Sequence, residues 1–452
     1  MRNWTQVAST VLIVLTLSGS VHAQNIVYAD AHGTRILLSE KNLGQFAAPA
    51  APGKTLMAGS LAWNITYQDV SSNNNIGFDD PVNGAARRAT AEAVMQYIGE
   101  ALNLGVSRSV DISFKVSQMD SGDELASAGT FWNTTPSRFD NGFAFQHITT
   151  GTDPAPLKED IYCTVDFGYP WNEDHTQDPT PSEFDLFSVL LHEMTHGIGL
   201  LSLSDGLGRG IGPTGEVSTN PGVYTKWDQL MRYGANSVCW NASTTTLLVP
   251  TSAFISDNLF FSGANATAAY GSRPPIYAPS SYIEGSSLAH FKTGVVDSVM
   301  QHAIGIGVVQ REYTAVDIAA LKDIGYTNAI APVTVSINTS SGGHYVEGQA
   351  ITLTATASGA TGYQWYHNNQ AIPSANQSAY SISSATTGDS GTYYCEVTTT
   401  THGVVTSPTV DVVVHAPADL PAGGFTALAI LILTLTAAAA TLAFRPPRAS
   451  AG

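Results

Sequence analysis

Cysteine is nearly absent, with three in 452 residues. That excludes a small disulfide-stapled scaffold and leaves room for one bridge at most. Basic residues are also scarce, 19 Lys and Arg against 36 Asp and Glu, for a formal net charge of −17. Neutralising nucleic-acid phosphates takes a basic stripe that this chain lacks, so nucleic acid is not expected as a partner. Charged side chains make up only 12% of the residues, yet hydrophobic ones make up 43%. This excludes global disorder and supplies a sizeable core, over a length that suits two or three domains.

Both ends are specialised. Arg2, the apolar run Val11 to Leu17 and the small-residue site Val21-His22-Ala23 read as a secretory signal peptide over 1–23. Phe425 to Phe444 is a charge-free run trailed by Arg445 and Arg448, behind a linker over 416–424. It is long enough to cross a bilayer and predicts a transmembrane or sorting helix over 425–444. This tail resembles the surface-sorting tails of bacterial exported proteins, with a lipid-anchor signal as the alternative. The expected location is therefore extracellular or at the cell surface, held to the membrane by the tail.

Composition shifts again near Ala331-Pro332. Downstream, short runs alternate apolar residues with Thr and Ser, as in an all-β sandwich. Ile351-Thr-Leu-Thr-Ala355-Thr-Ala, Tyr363-Gln-Trp365-Tyr and Asp389-Ser-Gly391-Thr-Tyr393-Tyr-Cys395 resemble strands B, C and F of an immunoglobulin-like domain, expected over 332–415. The resemblance makes Trp365 the core tryptophan and Tyr393 the corner tyrosine. Ala355 stands where the B-strand cysteine belongs, so Cys395 is expected to pack as a small hydrophobe. The sandwich implies no particular ligand.

The chemistry lies upstream, in Leu191-His192-Glu193-Met194-Thr195-His196-Gly197-Ile198-Gly199. Thr180-Pro181-Ser182-Glu183 reads as a capping box that opens a helix running into this motif. Residues four apart share a helical face, so His192 and His196 lie side by side as ligands for one metal ion, with Glu193 beside it. Zinc is the cofactor this pattern implies.

The HExxHxxG form ending at Gly199 resembles the metzincin metallopeptidases, in which a third His follows three residues after the glycine. Here that position is Ser202, and a hydroxyl is a poor zinc ligand. In the leishmanolysin-like branch a long insertion separates the glycine from the third His. Gly285-Ser-Ser-Leu-Ala-His290-Phe, followed by Asp297-Ser-Val-Met300, resembles that distal His and the methionine turn. The resemblance implies His290 as third ligand and Met300 as turn methionine. His302, Asp205 and Asp228 stay open as rival ligands, and His175 reads as a solvated loop residue. The stretch from Ser202 to Glu284, with Cys239, reads as an insertion walling the cleft. Thr314 to Gly325 reads as a capped closing helix, Ala85 to Leu104 as a backing helix and Val110 to Val116 as a strand.

The expected fold class is thus multidomain: an α+β metzincin-like catalytic domain over 60–330 and an immunoglobulin-like sandwich. Residues 24–59 form an N-terminal segment or short propeptide. A bridge between Cys163 and Cys239, with Cys395 free, is expected of an exported chain. The resemblance implies a zinc endopeptidase acting on protein or peptide substrates, with metal ligands His192, His196 and His290. Three neutral imidazoles would leave the ion its full charge and bring a bound water's pKa to about 7, with Glu193 as general base. A catalytically inactive metzincin-like adhesion protein and another zinc hydrolase, such as an amidase, are the alternatives.

Overall fold

The computed structural model describes residues 26–416 except 31–33, 39–53, 70–74, 118–123, 157, 214–216, 332–334, 358–359 and 400–402. The expected signal peptide, most of the linker and the apolar run 425–444 lie outside the described residues. Among the described residues, no helix is long and apolar enough to cross a membrane. The chain divides into two compact units, Met1–Pro332 and Val333–Gly452.

The first unit is built on a seven-stranded sheet. Its strands are β1 (Ile26–Asp30), β2 (Arg35–Leu37), β3 (Lys54–Ala58), β4 (Leu61–Tyr67), β5 (Arg108–Ser117), β6 (Ala126–Asn133) and β7 (Ile161–Asp166). They lie in the order β2-β1-β6-β7-β5-β4-β3. Strands β4, β5 and β7 run parallel, whereas β6 is antiparallel to both β7 and β1. Val110, Ile112 and Phe114 on β5 recur at the strand period of two, and all three are fully buried. The segment 24–59 contributes β1, β2 and β3, and every residue of β1 is buried. These three strands are built into the sheet.

Helix α1 (Gly84–Leu102) buries Ala91, Val94, Met95, Ile98 and Leu102, a helical stripe, and ends at Asn103 in the left-handed conformation. Helix α2 (Gly142–Thr150) follows β6, and α3 (Leu186–Gly197) carries the HExxH motif. A short α4 (Lys226–Gln229), α5 (Ala264–Tyr270) and the closing α6 (Ala315–Ile324) complete the set. Helix α6 starts with a capping box between Thr314 and Asp317 and stops at Gly325.

Two expectations are corrected here. Helix α3 does not begin at the Thr180–Glu183 box, which closes a separate turn in which the Glu183 carboxylate accepts the Thr180 amide at 2.9 Å. Phe184–Asp185 then pairs with Trp171–Asn172. Asp185 is the true N-cap, accepting the Ser188 amide at 3.0 Å and its hydroxyl at 2.6 Å while paired with Arg311. A buried carboxylate held by an arginine is a stronger anchor than an exposed Thr–Glu box. The second correction concerns the bridge: Cys163, Cys239 and Cys395 are all free and buried. Cys163 sits in β7, inside the central sheet, whereas Cys239 follows a peripheral hairpin strand, Ser237–Val238.

The second unit is a two-sheet sandwich. One sheet pairs Val335–Thr339, Ile351–Ala357 and Ala379–Ile382, and the other is organised around Ala360–His367 and Gly391–Thr399. Trp365, Ala355, Tyr393 and Cys395 all lie in its core. The Tyr393 hydroxyl donates back to Asp389 O at 2.9 Å, a tyrosine corner, and the Trp365 indole donates to Gln377 O at 2.9 Å.

Candidate metal centre

Helix α3 places His192 and His196 one turn apart, and the segment leading to Phe291 brings His290 to them across the first unit. In all three pairings the Nε2 atoms are 3.1 Å apart. Each ring's other nitrogen meets a backbone carbonyl. His192 Nδ1 reaches Val299 O at 2.8 Å, His196 Nδ1 reaches Leu200 O at 2.8 Å and His290 Nδ1 reaches Ser286 O at 2.7 Å. A carbonyl can only accept, so every Nδ1 carries its ring's proton and every Nε2 turns a lone pair toward the other two. Such a convergence is repulsive unless a cation lies among the three.

The triangle also suits zinc by size. A tetrahedral ion with bonds of 2.0–2.1 Å holds its nitrogen ligands roughly 3.3 Å apart. His196 and His290 are buried, while His192 keeps part of its ring toward the cleft.

The local sequence explains the turn after α3. Gly199 has φ +109°, and a Cβ there would come within 2.7 Å of Asn141 O. Glycine at this point lets Leu200 O return to His196. Ser202, where the shorter metzincin spacing would put a His, is buried and donates to Asp228 at 2.6 Å. Asp228 also accepts the Leu203 amide at 3.0 Å and takes part in the capping box of α4. It is a structural acid, and Asp205 is likewise engaged by Arg209.

The methionine segment orients His192 through Val299. Asp317, on the first turn of α6, accepts the Val299 amide at 2.9 Å and the Ser298 hydroxyl. The same hydroxyl receives the Met300 amide at 2.9 Å. Met300 is fully buried. Behind α3, the Thr195 and Tyr313 hydroxyls meet at 2.6 Å.

Glu193 lies beside this triangle, its Oε1 4.0 Å from His192 Nε2. Burial pushes its carboxyl well above the usual range, with Glu124 and Asp30 adding to the rise and the Ala128 amide opposing it. That amide donates to Glu193 Oε2 at 3.1 Å. A cleft of about 600 Å³ is lined by Glu193, His192 and His290 together with Glu124–Ala126 and Ile283–Ser286. Strand β6 forms its edge. The Asp166 amide reaches Leu125 O at 3.0 Å, so in the alternating ladder the odd positions 125, 127 and 129 bond to β7 and the even ones face away. Strand β1 covers that outer side only from Gly129 onward.

His302, the main rival, lies outside the triangle. Its Nδ1 is 2.6 Å from the Thr293 hydroxyl and its ring stacks on Tyr277 at 3.8 Å. His175 is not a free loop residue, because its Nδ1 meets the Thr90 hydroxyl at 3.1 Å and so ties the loop to α1. The sequence reading missed Asp317, Val299, Ser286 and Ala128. The capped helix from Thr314 was visible, but not that the Asp317 carboxylate also serves a distant turn. The other three act through backbone atoms, which leave no side-chain signature.

Comparison with known proteins bears on the second unit. Residues 334–414 match the immunoglobulin domain family. No curated protein matches the chain. Solved structures similar to it include the N-terminal four Ig domains of Dscam1 isoform 4.44, at 18% identity over 19% of this chain and 21% of that one, with a TM-score of 0.17. Murine CEACAM1b is similar at 22% identity over 18% of this chain and 44% of that one, also with a TM-score of 0.17. The chain thus spans less than half of either structure. The chain is multidomain, and an immunoglobulin-like domain occupies residues 334–414.

Proposed function

We propose that the first unit is a zinc-dependent endopeptidase of the leishmanolysin-like metzincin type, carried by an exported chain that its C-terminal tail holds at the membrane. One observation carries this reading. Three histidines from two distant segments turn their Nε2 atoms to a common point, their tautomers set by three backbone carbonyls. The Glu193 carboxylate stands beside that point and lines the cleft.

When bound, zinc supplies a Lewis acid and a water of lowered pKa. The remaining work falls to residues of this chain. His192, His196 and His290 hold the ion as neutral donors. Glu193 takes a proton at its Oε1, on the side facing His192, and delivers it to the leaving amine. The Ala128 amide holds Glu193 Oε2, so the carboxylate cannot swing out of reach. The Asp317–Val299 contact keeps the His192 ring upright.

Casein zymography with and without a chelator, on the wild type and Glu193→Gln, tests the reading. Chelator-sensitive lysis by the wild type alone supports it. Zinc bound at full occupancy with no lysis of any protein or peptide would instead favour an inactive scaffold, and cleavage of non-peptide amides alone would favour an amidase.

A further inference from the structure

Glu193 stands where the pairing of β1 along the outer edge of β6 stops. The Glu193 carboxylate takes the Ala128 amide at 3.1 Å, on the outer edge of β6. Strand β1 lies on that same edge and ends at Asp30, opposite Gly129. Glu193 therefore occupies the rung just beyond the end of β1. On its other side no described strand pairs with β6 at Ala126 along that outer edge, and Glu124–Ala126 line the cleft.

The block is tightly seated. A Cβ on Gly129 would fall 2.3 Å from Ala29 O and 2.7 Å from the Asp30 Cβ, so β1 approaches β6 as closely as a missing side chain allows. Arg35, on the return strand β2, ties the hairpin further by donating to Asp30 O at 2.6 Å.

Resting on the peptidase reading above, we propose that substrate recognition is one-sided: main-chain pairing holds the residues on the carboxyl side of the scissile bond, and β1 ends that pairing within about two residues on the amino side. A peptide that adds to the outer edge of β6 in line with β1, antiparallel to β6, runs with its amino end toward Asp30 and its carboxyl end toward Glu124. Its reacting carbonyl lies at Glu193, hence opposite Ala128. At about 3.4 Å per residue, the next strand position on the amino side is already taken by Asp30. On the carboxyl side no described strand pairs along that edge at Ala126.

The test uses quenched fluorescent peptides around one cleaved bond and the purified, zinc-loaded full chain. One series grows on the amino side and the other on the carboxyl side. Lengthening the carboxyl side from one to three residues should raise kcat/KM on the order of tenfold, the effect of gaining main-chain hydrogen bonds. Growth beyond the second amino-side residue should change it less than twofold. A comparable gain from the third and fourth amino-side residues would overturn the inference, as would the opposite asymmetry, while leaving the peptidase reading intact. Failure to cleave any peptide, with Glu193→Gln indistinguishable from wild type, would defeat the peptidase reading and this inference with it.

Discussion

His192 Nδ1 donates to Val299 O at 2.8 Å, so the first residue of the HExxH motif is aimed by the segment that carries Met300. The same Val299 gives its amide to Asp317 at 2.9 Å. A buried acid on the closing helix thus fixes the direction of a ring on α3 through a single intervening residue.

Asp317→Ala should therefore have two separable effects. The Ser298 hydroxyl and the Val299 and Thr314 amides lose their buried acceptor, at a cost of about 3 kcal/mol in stability. Zinc affinity should also fall about 10- to 100-fold through loss of orientation at His192. Urea unfolding of the zinc-free protein measures the first effect and chelator competition the second. Unchanged zinc affinity would show that Asp317 acts only on stability.

At the centre itself, Glu193→Gln should retain zinc and fold while lowering kcat about 100- to 10,000-fold, since the ligands remain and only the proton acceptor is lost. His290→Ala should lose zinc, because two imidazoles remain. His302→Ala should keep it, because that ring is committed to Thr293 and Tyr277. Zinc per chain, measured on dialysed samples, decides the ligand assignment.

Stability of the zinc-free protein should fall as pH rises from about 5 to 8. Burial, with Asp111 adding to it, pushes Glu159 up to about 7, and burial pushes Asp160 up to about 6 against its hydrogen bond from His147. Burial alone would lower His147, but its 2.6 Å contact with Asp160 outweighs that and raises it. All three groups hold protons more tightly folded than unfolded, so the native state binds the excess and loses that advantage as pH climbs through the raised values. Glu159→Gln should remove part of this slope, on the order of 2 kcal/mol across the range once solvent screening is allowed for. Urea midpoints in the presence of a chelator give the measurement, because zinc binding itself strengthens with pH.

With three free, buried thiols, native protein should react with none of its cysteines on the minutes scale and with all three after unfolding. Reductant should leave the thermal midpoint unchanged. A pair of thiols missing from the denatured titration would restore a bridge.

Local spacing decided which parts of this molecule could be read from its sequence. His192 and His196 are one helical turn apart, Thr314 caps the helix that follows it directly, and Tyr393 sits two residues before Cys395. Each pattern is contained within a few residues, and each stands in the structure where its pattern implied. The start of α3 was misplaced because the competing anchor, Asp185, draws its strength from Arg311, far along the chain. The Cys163–Cys239 pairing failed for a related reason: compartment chemistry says that a bridge can form, not that two side chains meet. The place of β1 was illegible because its register partners, from Gly129 to Asn133, lie on a strand with no matching local signal.

That placement also bears on the order of assembly. Strand β1 precedes its partner β6 in the chain, and β6 is complete only once Asn133 has followed. During synthesis, which proceeds from the amino end, the run Ile26–Asp30 therefore has only the short β2 as a partner, and its other edge stays unpaired. It is exposed to self-association until β6 arrives, and the sheet can close around β6 only after that.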